Sequence, residues 1–160
     1  MKRGEHSDVA ELDCSRMRFA IVSAAFYADV AEMLLEGARH ALRDCKVRLE
    51  NASFFEVPGC FELPLACVNL IASNRFDAIV ALGAVVRGET SHFDYVAGEC
   101  ARGIMDVQLR TGTPIGFGVL TTENVAQALE RADPNRGNKG YAATVAAATL
   151  AQQASKLGRM

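Results

Sequence analysis

Runs of apolar residues separate this chain into segments of strand length. Three of them are continuous: "RFAIVSA" at 18–24, "DAIVALG" at 77–83 and "PIGFGVLT" at 114–121. Such runs are typical of strands that are buried on both faces of a parallel sheet. A fourth strand is predicted over 47–59, "VRLENASFFEVPG", where a Pro-Gly turn pair ends it. The two glycines inside 114–121 indicate that another part of the protein approaches that strand closely.

Between the strands, apolar residues recur at helical spacing, and five helices are predicted. The first begins at Asp29, and the second occupies 61–74 with Pro64 in its first turn. The other three are the segment that follows Ser91 and ends near "RTGTP", then "ENVAQALERA" with Thr122 as its N-cap, and the Ala-rich "YAATVAAATLAQQASKL". The predicted apolar faces of the first three are Val30, Met33, Leu34, Ala38, Ala41 and Leu42; Leu65, Val68, Leu70 and Ile71; and Phe93, Val96, Ala97, Cys100, Ile104 and Val107.

Alternation of strands and helices predicts βαβ units with right-handed crossovers. The expected fold class is α/β, a three-layer α/β/α sandwich of the flavodoxin-like type with a four-stranded parallel sheet. We predict one such domain over residues 18–158. A polar N-terminal arm, 1–17, precedes it and is expected to be flexible.

Composition narrows the classes of function. Half of the 160 residues are hydrophobic, the formal net charge is −2, and the basic residues are scattered. We therefore expect no nucleic-acid partner. No apolar stretch reaches membrane-spanning length and no signal-peptide core is visible, so the sequence predicts a cytoplasmic protein with no membrane partner. The five cysteines form no C-x-x-C pair, and we expect reduced thiols and no metal site.

The loops after the predicted strands are the candidate ligand site, because ligands of such sheets bind at the carboxyl ends of the strands. In "GAVVRGETSH", Gly88 would allow a tight turn, and the amides of Glu89, Thr90 and Ser91 precede a helix. Amides and the positive end of a helix dipole together predict an anion site. The alternative is that Thr90 or Ser91 only caps the helix.

Other side chains near these loops have two interpretations each. His92 would transfer protons near neutral pH, Phe26 would stack on a flat ring, and Glu62 would accept hydrogen bonds from a hydroxylated ligand. For each, the alternative is a structural role: a satisfied structural histidine, a core phenylalanine, and a first-turn acid that complements the helix dipole. A guanidinium for the anion site would come from Arg131 or Arg87, and spacing alone leaves both open.

Familiar nucleotide motifs are absent. The chain has no G-x-x-x-x-G-K-[ST] sequence, and its first strand leads into "SAAFYAD" rather than a phosphate-binding loop. This disfavours a P-loop enzyme and a flavodoxin-like electron carrier.

Five segments in order resemble the lumazine synthase family of riboflavin biosynthesis. They are "FYADVAEMLLEGA", "VPGCFELP", "ALGAVVRGETSHFDYVAGE", "GFGVLTTENVAQALERA" and "GNKG", and the resemblance covers about 18–155. It implies a transferase that condenses 5-amino-6-(D-ribitylamino)uracil with 3,4-dihydroxy-2-butanone 4-phosphate. The product is 6,7-dimethyl-8-ribityllumazine, with release of phosphate and water and without cofactor or metal. A non-catalytic relative that binds a flavin or pteridine is the alternative.

The resemblance also implies residue roles. Phe26 would stack on the pyrimidine ring, the backbone at Ala84, Val85 and Val86 would bind its polar edge, and His92 would transfer protons. The remaining residues implied are Cys60, Phe61 and Glu62 along the ribityl chain; Gly88, Glu89 and Thr90 at the phosphate; and, from the adjacent subunit, Phe117 and Lys139 at the ring side and Arg131 at the phosphate.

A site shared in this way implies a homopentamer, and riboflavin synthase is a further implied partner. Three positions depart from the family pattern: Cys60, where Ala or Ser is frequent, Ala142, where an acid is frequent, and the loop "DPNRGNKG". Because Pro134 in that loop would tilt the preceding helix, we expect isolated pentamers or small assemblies of pentamers rather than a shell.

Overall fold

A four-stranded parallel sheet forms the centre of the protein. The computed structural model describes residues 9–159. The strands are β1 (Phe19–Ala24), β2 (Ala52–Val57), β3 (Ala78–Val86) and β4 (Ile115–Thr122), arranged in the order β2-β1-β3-β4. All three pairings are parallel, so the predicted fold class is confirmed.

Five α-helices cover the two faces of the sheet. They are α1 (Ala28–Asp44), α2 (Leu63–Ala72), α3 (His92–Thr111), α4 (Val125–Ala132) and α5 (Lys139–Lys156). One core, between the sheet and α1, α4 and α5, contains Phe19, Ile21 and Leu34. The other, against α2 and α3, contains Val22 and Ile79. Successive residues of β1 and β3 enter opposite cores, as the pleat requires.

Three element boundaries differ from the prediction. The segment predicted as the start of the second strand forms a short 3₁₀ turn, Leu49–Asn51, because the Asn51 amide donates to the Arg48 carbonyl at 2.9 Å. β3 continues to Val86 because it pairs with β4 as far as Thr122. Helix α5 already begins at Lys139, after Asn138 adopts φ 43° at the N-cap.

Two local predictions about helices are wrong. The N-cap of α4 is Asn124, whose side chain accepts from the Gln127 amide at 2.9 Å, while the Thr122 hydroxyl donates to the Asn124 carbonyl. Helix α2 buries Leu63 and Cys67, and the predicted core residues Leu65 and Val68 are exposed. Pro64 does lie in the first turn of α2, as predicted.

The N-terminal end of the described chain packs against the domain. Leu12 and Cys14 are buried in the core of α1, α4 and α5, and the Cys14 amide donates to the Cys45 carbonyl at 2.9 Å. Residues 1–8 of the predicted arm lie outside the described residues. The division into arm and domain stays a prediction.

Close approach to β4 is confirmed, and the approaching element is α5. A Cβ at Gly118 would lie 3.1 Å from Cβ of Ala143, and one at Gly116 would overlap with the Ala143 carbonyl. Small residues therefore let α5 lie directly on the strand. The same helix meets α1 at Gly140, where a Cβ would overlap with the backbone of Leu34.

We expect Gly140→Ala to destabilise the fold strongly. The added methyl group would overlap with main-chain atoms of α1, and overpacking of this kind costs about 1–3 kcal/mol. Urea denaturation at fixed protein concentration measures the loss. Gly98→Ala in α3 is the matched control, since no described atom outside the adjacent backbone of α3 lies within 4 Å of its new methyl group, and helix propensity favours Ala by about 1 kcal/mol. Equal midpoints for the two variants would contradict the close crossing.

Candidate active site at the carboxyl ends of the strands

A cavity of about 530 Å³ opens where β1, β2 and β3 end. Its walls come from the β1–α1 connection, the turn after β2, the last residues of β3 and the first turn of α3. The lining residues are Phe26, Tyr27, Gly59, Cys60, Phe61, Glu62, Ala84, Val85, Val86, Gly88, Thr90, His92, Phe93, Tyr95 and Val96. This volume is in the usual range for small-molecule sites.

The end of β3 offers backbone to the cavity because β3 is longer than its neighbour. β1 pairs with β3 only as far as Leu82, whereas β4 pairs with it as far as Val86. On the β1 side, residues 84–86 are therefore outside the sheet ladder. A flat ligand placed there would meet main-chain polar groups at the spacing of a strand edge.

Cys60 fixes the turn after β2 against the end of β3. Its thiol donates to the Ala84 carbonyl at 3.5 Å, and a Cβ at Gly83 would lie 2.6 Å from the Cys60 sulfur. Burial raises the pKa of the Cys60 thiol to about 12. The side chain is therefore neutral at physiological pH and acts through packing rather than as a nucleophile.

The loop before α3 leaves room for an anion. Apart from Gly88 and its two chain neighbours, no described atom lies within 4 Å of the position that a Cβ on Gly88 would take, and Gly88 has no positive φ. This glycine provides open space beside the backbone rather than the tight turn expected from the sequence. Ser91 is the N-cap but makes no capping hydrogen bond, while the Thr90 hydroxyl accepts from the His92 amide at 3.3 Å. A role in holding the start of the helix thus explains the presence of Thr90, but the structure shows no capping hydrogen bond that would explain Ser91.

Arg87, the residue before Gly88, already contacts two carboxylates and an aromatic ring. Its Nε donates to Glu123 at 2.9 Å, its Nη1 donates to Asp94 at 3.3 Å, and its Cζ lies 4.2 Å from the centre of the Phe93 ring. The hydrogen bonds to Glu123 and Asp94 raise the pKa of Arg87 above its ordinary value. Arg87 itself does not line the cavity.

Three of the residues expected at the site are elsewhere. Phe117, Arg131 and Lys139 line a second concavity of about 550 Å³, between β4 and α5. Glu89 is exposed and lines neither concavity. The other ten residues expected at the site all line the first cavity.

Five lining residues were not among the expected ones: Tyr27, Gly59, Phe93, Tyr95 and Val96. Phe93 and Val96 were interpreted as core residues of α3, and both do pack against the core. The first turn of α3 lies beyond the end of β1, so the same face also borders the cavity. Tyr27 is adjacent to Phe26, and their rings make an edge contact with centres 5.0 Å apart.

The described chain has no feature of a membrane span or of a metal centre. Within residues 9–159, no helix is both long and apolar enough to cross a membrane. The same residues contain no group of three or more His, Cys, Asp or Glu side chains arranged to hold a metal ion.

The fold is that of a flavodoxin-like α/β protein, and the cavity at the carboxyl ends of its strands is a candidate small-molecule site. The family model described as 6,7-dimethyl-8-ribityllumazine synthase matches residues 16–155. A curated relative, 6,7-dimethyl-8-ribityllumazine synthase of Lawsonia intracellularis (strain PHE/MN1-00), is 46% identical over 138 residues, which are 84% of this chain and 85% of that protein. The chain belongs to the 6,7-dimethyl-8-ribityllumazine synthase family.

Proposed function

We propose that this protein is an active transferase of riboflavin biosynthesis that joins 5-amino-6-(D-ribitylamino)uracil to 3,4-dihydroxy-2-butanone 4-phosphate. The product would be 6,7-dimethyl-8-ribityllumazine, and phosphate and water would leave. The observation that carries this proposal is the cavity itself, in which ring-binding, hydroxyl-binding and anion-binding groups meet. An amine and a ketone held together at attack distance gain much of their rate from proximity.

The pyrimidine would lie at the β1 and β3 ends of the cavity. Phe26 is 74% exposed although it is aromatic, and it lines the cavity beside the strand edge 84–86. A ring stacked on Phe26 would cover this surface and meet the backbone of Val85 and Val86 at its polar edge. The ribityl chain would follow Cys60 and Phe61, with Glu62 accepting from its hydroxyl groups.

The phosphate would lie at the start of α3. The open space beside Gly88 and the positive end of a 20-residue helix favour an anion there. Thr90 lines the same wall, and the exposed Glu89 would contribute through its backbone. His92, the first residue of α3, would move protons while the imine forms and the phosphate leaves.

Arg131 is the better candidate for the phosphate guanidinium. Arg87 is committed to two carboxylates and an aromatic ring. Arg131 is exposed, and its one described hydrogen bond is from Nη1 to the Gln127 carbonyl at 3.4 Å. This hydrogen bond is long and uses only Nη1. The other nitrogen donors of the Arg131 guanidinium are therefore available for a phosphate.

The location of Arg131 supports a site shared between subunits of a homopentamer. The concavity lined by Phe117, Arg131 and Lys139 is separate from the one lined by His92, so a second subunit is needed to join them. Large apolar side chains are also exposed on several elements, as at subunit interfaces: Phe54, Phe55, Leu65, Val68, Tyr95, Met105 and Leu109. Ala142 and Lys139 both line this second concavity.

Three further expectations stay predictions. They are riboflavin synthase as a partner, isolated pentamers or small assemblies of pentamers rather than a shell, and a cytoplasmic location.

The direct test is to mix the purified protein with both substrates. The lumazine product, measured by its absorbance, and the released phosphate should form in equal amounts, and only when the protein is present. Tight binding of a flavin or pteridine without enzyme-dependent product would instead indicate the non-catalytic alternative.

We expect Arg131→Ala to raise the KM for the phosphorylated ketone by about tenfold or more, because a charge-assisted bidentate contact would be lost. The KM for the pyrimidine should change little. Arg136→Ala is the control, since Arg136 is on the following loop and pairs with Glu130 at 3.1 Å. An unchanged KM for the ketone in Arg131→Ala would point to Arg87.

A further inference from the structure

We infer that Arg87 is a positioning residue, a clamp that holds the first turn of α3 and with it His92 and the Gly88–Ser91 loop. This inference rests on the proposed function. It assigns Arg87 an action through neighbouring residues rather than contact with the substrate.

The geometry of Arg87 joins three separate parts of the chain. Its main-chain amide, at the end of β3, donates to the Thr122 carbonyl at the end of β4, at 2.9 Å. Its Nε reaches Glu123 in the β4–α4 connection, and its Nη1 reaches Asp94 in the first turn of α3. One side chain therefore ties the start of α3 to the β4 edge of the sheet.

The clamp lies next to the reacting region without entering it. Phe93 lines the cavity, and Arg87 lies over its ring. Phe93 and Asp94 are the two residues that follow His92, so their position fixes where the His92 side chain begins. The other described side-chain hydrogen bond in this loop is the one between Thr90 and the His92 amide. Among the described side-chain hydrogen bonds, those of Arg87 are thus the ones that join this turn to the end of β4.

The net charge around Arg87 also favours a positioning role for this residue over a phosphate-binding role. Arg87 carries one positive charge and contacts two carboxylates, Glu123 and Asp94, so the group as a whole is negative. A negative group does not attract a phosphate dianion. A planar fork between two carboxylates and an aromatic face is the arrangement that favours Arg over Lys for holding elements in place.

Glu123→Ala is the most informative variant, because Glu123 does not line the cavity and its removal frees one donor of Arg87. The clamp predicts a fall in kcat of about tenfold, as expected when a proton-transferring group is displaced, with little change in the KM for either substrate. If Arg87 instead binds phosphate, freeing its donor should leave kcat unchanged and tighten the binding of inorganic phosphate, measured by calorimetry. That result would overturn the inference.

Arg87→Lys and Arg87→Met complete the test. Lysine keeps the charge but loses the fork and the stacking, so both variants should lose kcat to a similar extent. A fully active Arg87→Lys would mean that charge alone matters, and it would overturn the clamp. Glu32→Ala is the matched control, because it removes an Arg–carboxylate hydrogen bond of the same length, 2.9 Å, from the surface of α1, and its kcat should be that of the wild type.

A measurement without substrate keeps this inference separate from the proposed function. Hydrogen–deuterium exchange in residues 88–94 should be faster in Glu123→Ala than in the wild type, while exchange in β1 and α5 is unchanged. Faster exchange throughout the chain would indicate general unfolding and overturn the clamp. Absence of synthase activity in the wild type would refute the proposed function, and the exchange result would still decide whether the clamp exists.

Discussion

His92→Ala should lower kcat by about a hundredfold, the usual contribution of a positioned acid or base, while the KM values for both substrates change little. The reason is the location of the side chain. His92 lines the cavity at the first residue of α3, next to the loop that we propose for the phosphate. In the site that we propose, bonds would form and break between that loop and the strand edge 84–86, and protons would move there. The proposal assigns substrate binding to other groups, so truncating His92 should slow turnover more than it weakens affinity.

Steady-state kinetics with each substrate varied in turn measures the effect. His40→Ala is the matched control, because His40 is a half-exposed histidine on α1 whose described ion pair is a 4.0 Å contact with Glu36. Its rate should equal that of the wild type. Some activity should remain in His92→Ala, since proximity of the two substrates still accelerates the reaction. Equal kcat values accompanied by a higher KM would show that His92 binds substrate and does not transfer protons.

The strands and helices were largely predictable because burial follows periodicity. β1 and β3 are buried on both faces and β4 is buried except at Phe117 and Thr121, and this leaves nearly continuous apolar runs in the sequence. The edge strand β2 was predicted less well, since its exposed Phe54 and Phe55 lack a clear alternation and a 3₁₀ turn precedes it. Pairing with β4, which depends on residues distant in sequence, decided where β3 ends.

The apolar face of α2 was predicted correctly for Leu70 and Ile71, which pack against the core, and wrongly for its other two residues. Leu65 and Val68 have the right spacing for a core, yet they are exposed in the single chain, and Leu63 and Cys67 are buried instead. The periodicity of apolar residues indicates which side chains are buried from water. It does not indicate which neighbouring surface buries them. If α2 also meets another subunit, as the proposed homopentamer implies, it has two apolar faces, and the sequence does not distinguish them.

The candidate site was predictable where its residues follow strand ends, because topology places those loops together. The cavity-lining role of Phe93 was missed, since an apolar residue at helical spacing is first interpreted as core. The choice between Arg87 and Arg131 required side-chain contacts. Both lie near glycines and polar residues in the sequence, and only the hydrogen bonds to Glu123 and Asp94 set Arg87 apart.

A mixture of two impaired variants should recover activity if each site is built from two subunits. His92→Ala damages the cavity at the strand ends, and Arg131→Ala damages the concavity between β4 and α5. When the two variants are unfolded and refolded together, some neighbouring subunits contribute an intact His92 and an intact Arg131. With random assembly this holds for about one site in four, so about a quarter of the wild-type rate should return from a nearly inactive pair.

The assay is run at a ketone phosphate concentration well below its KM, where both variants are impaired. Separately refolded variants, mixed afterwards, give the baseline. Co-refolding of His92→Ala with Phe26→Ala is the matched control: both substitutions lie in the same cavity, so no arrangement of subunits restores an intact site. Recovery in the first pair and none in the second requires that His92 and Arg131 act across a subunit boundary. Failure of the first pair, with mixed oligomers verified by capture of a tagged partner, would place the whole site within one subunit and return the phosphate contact to Arg87.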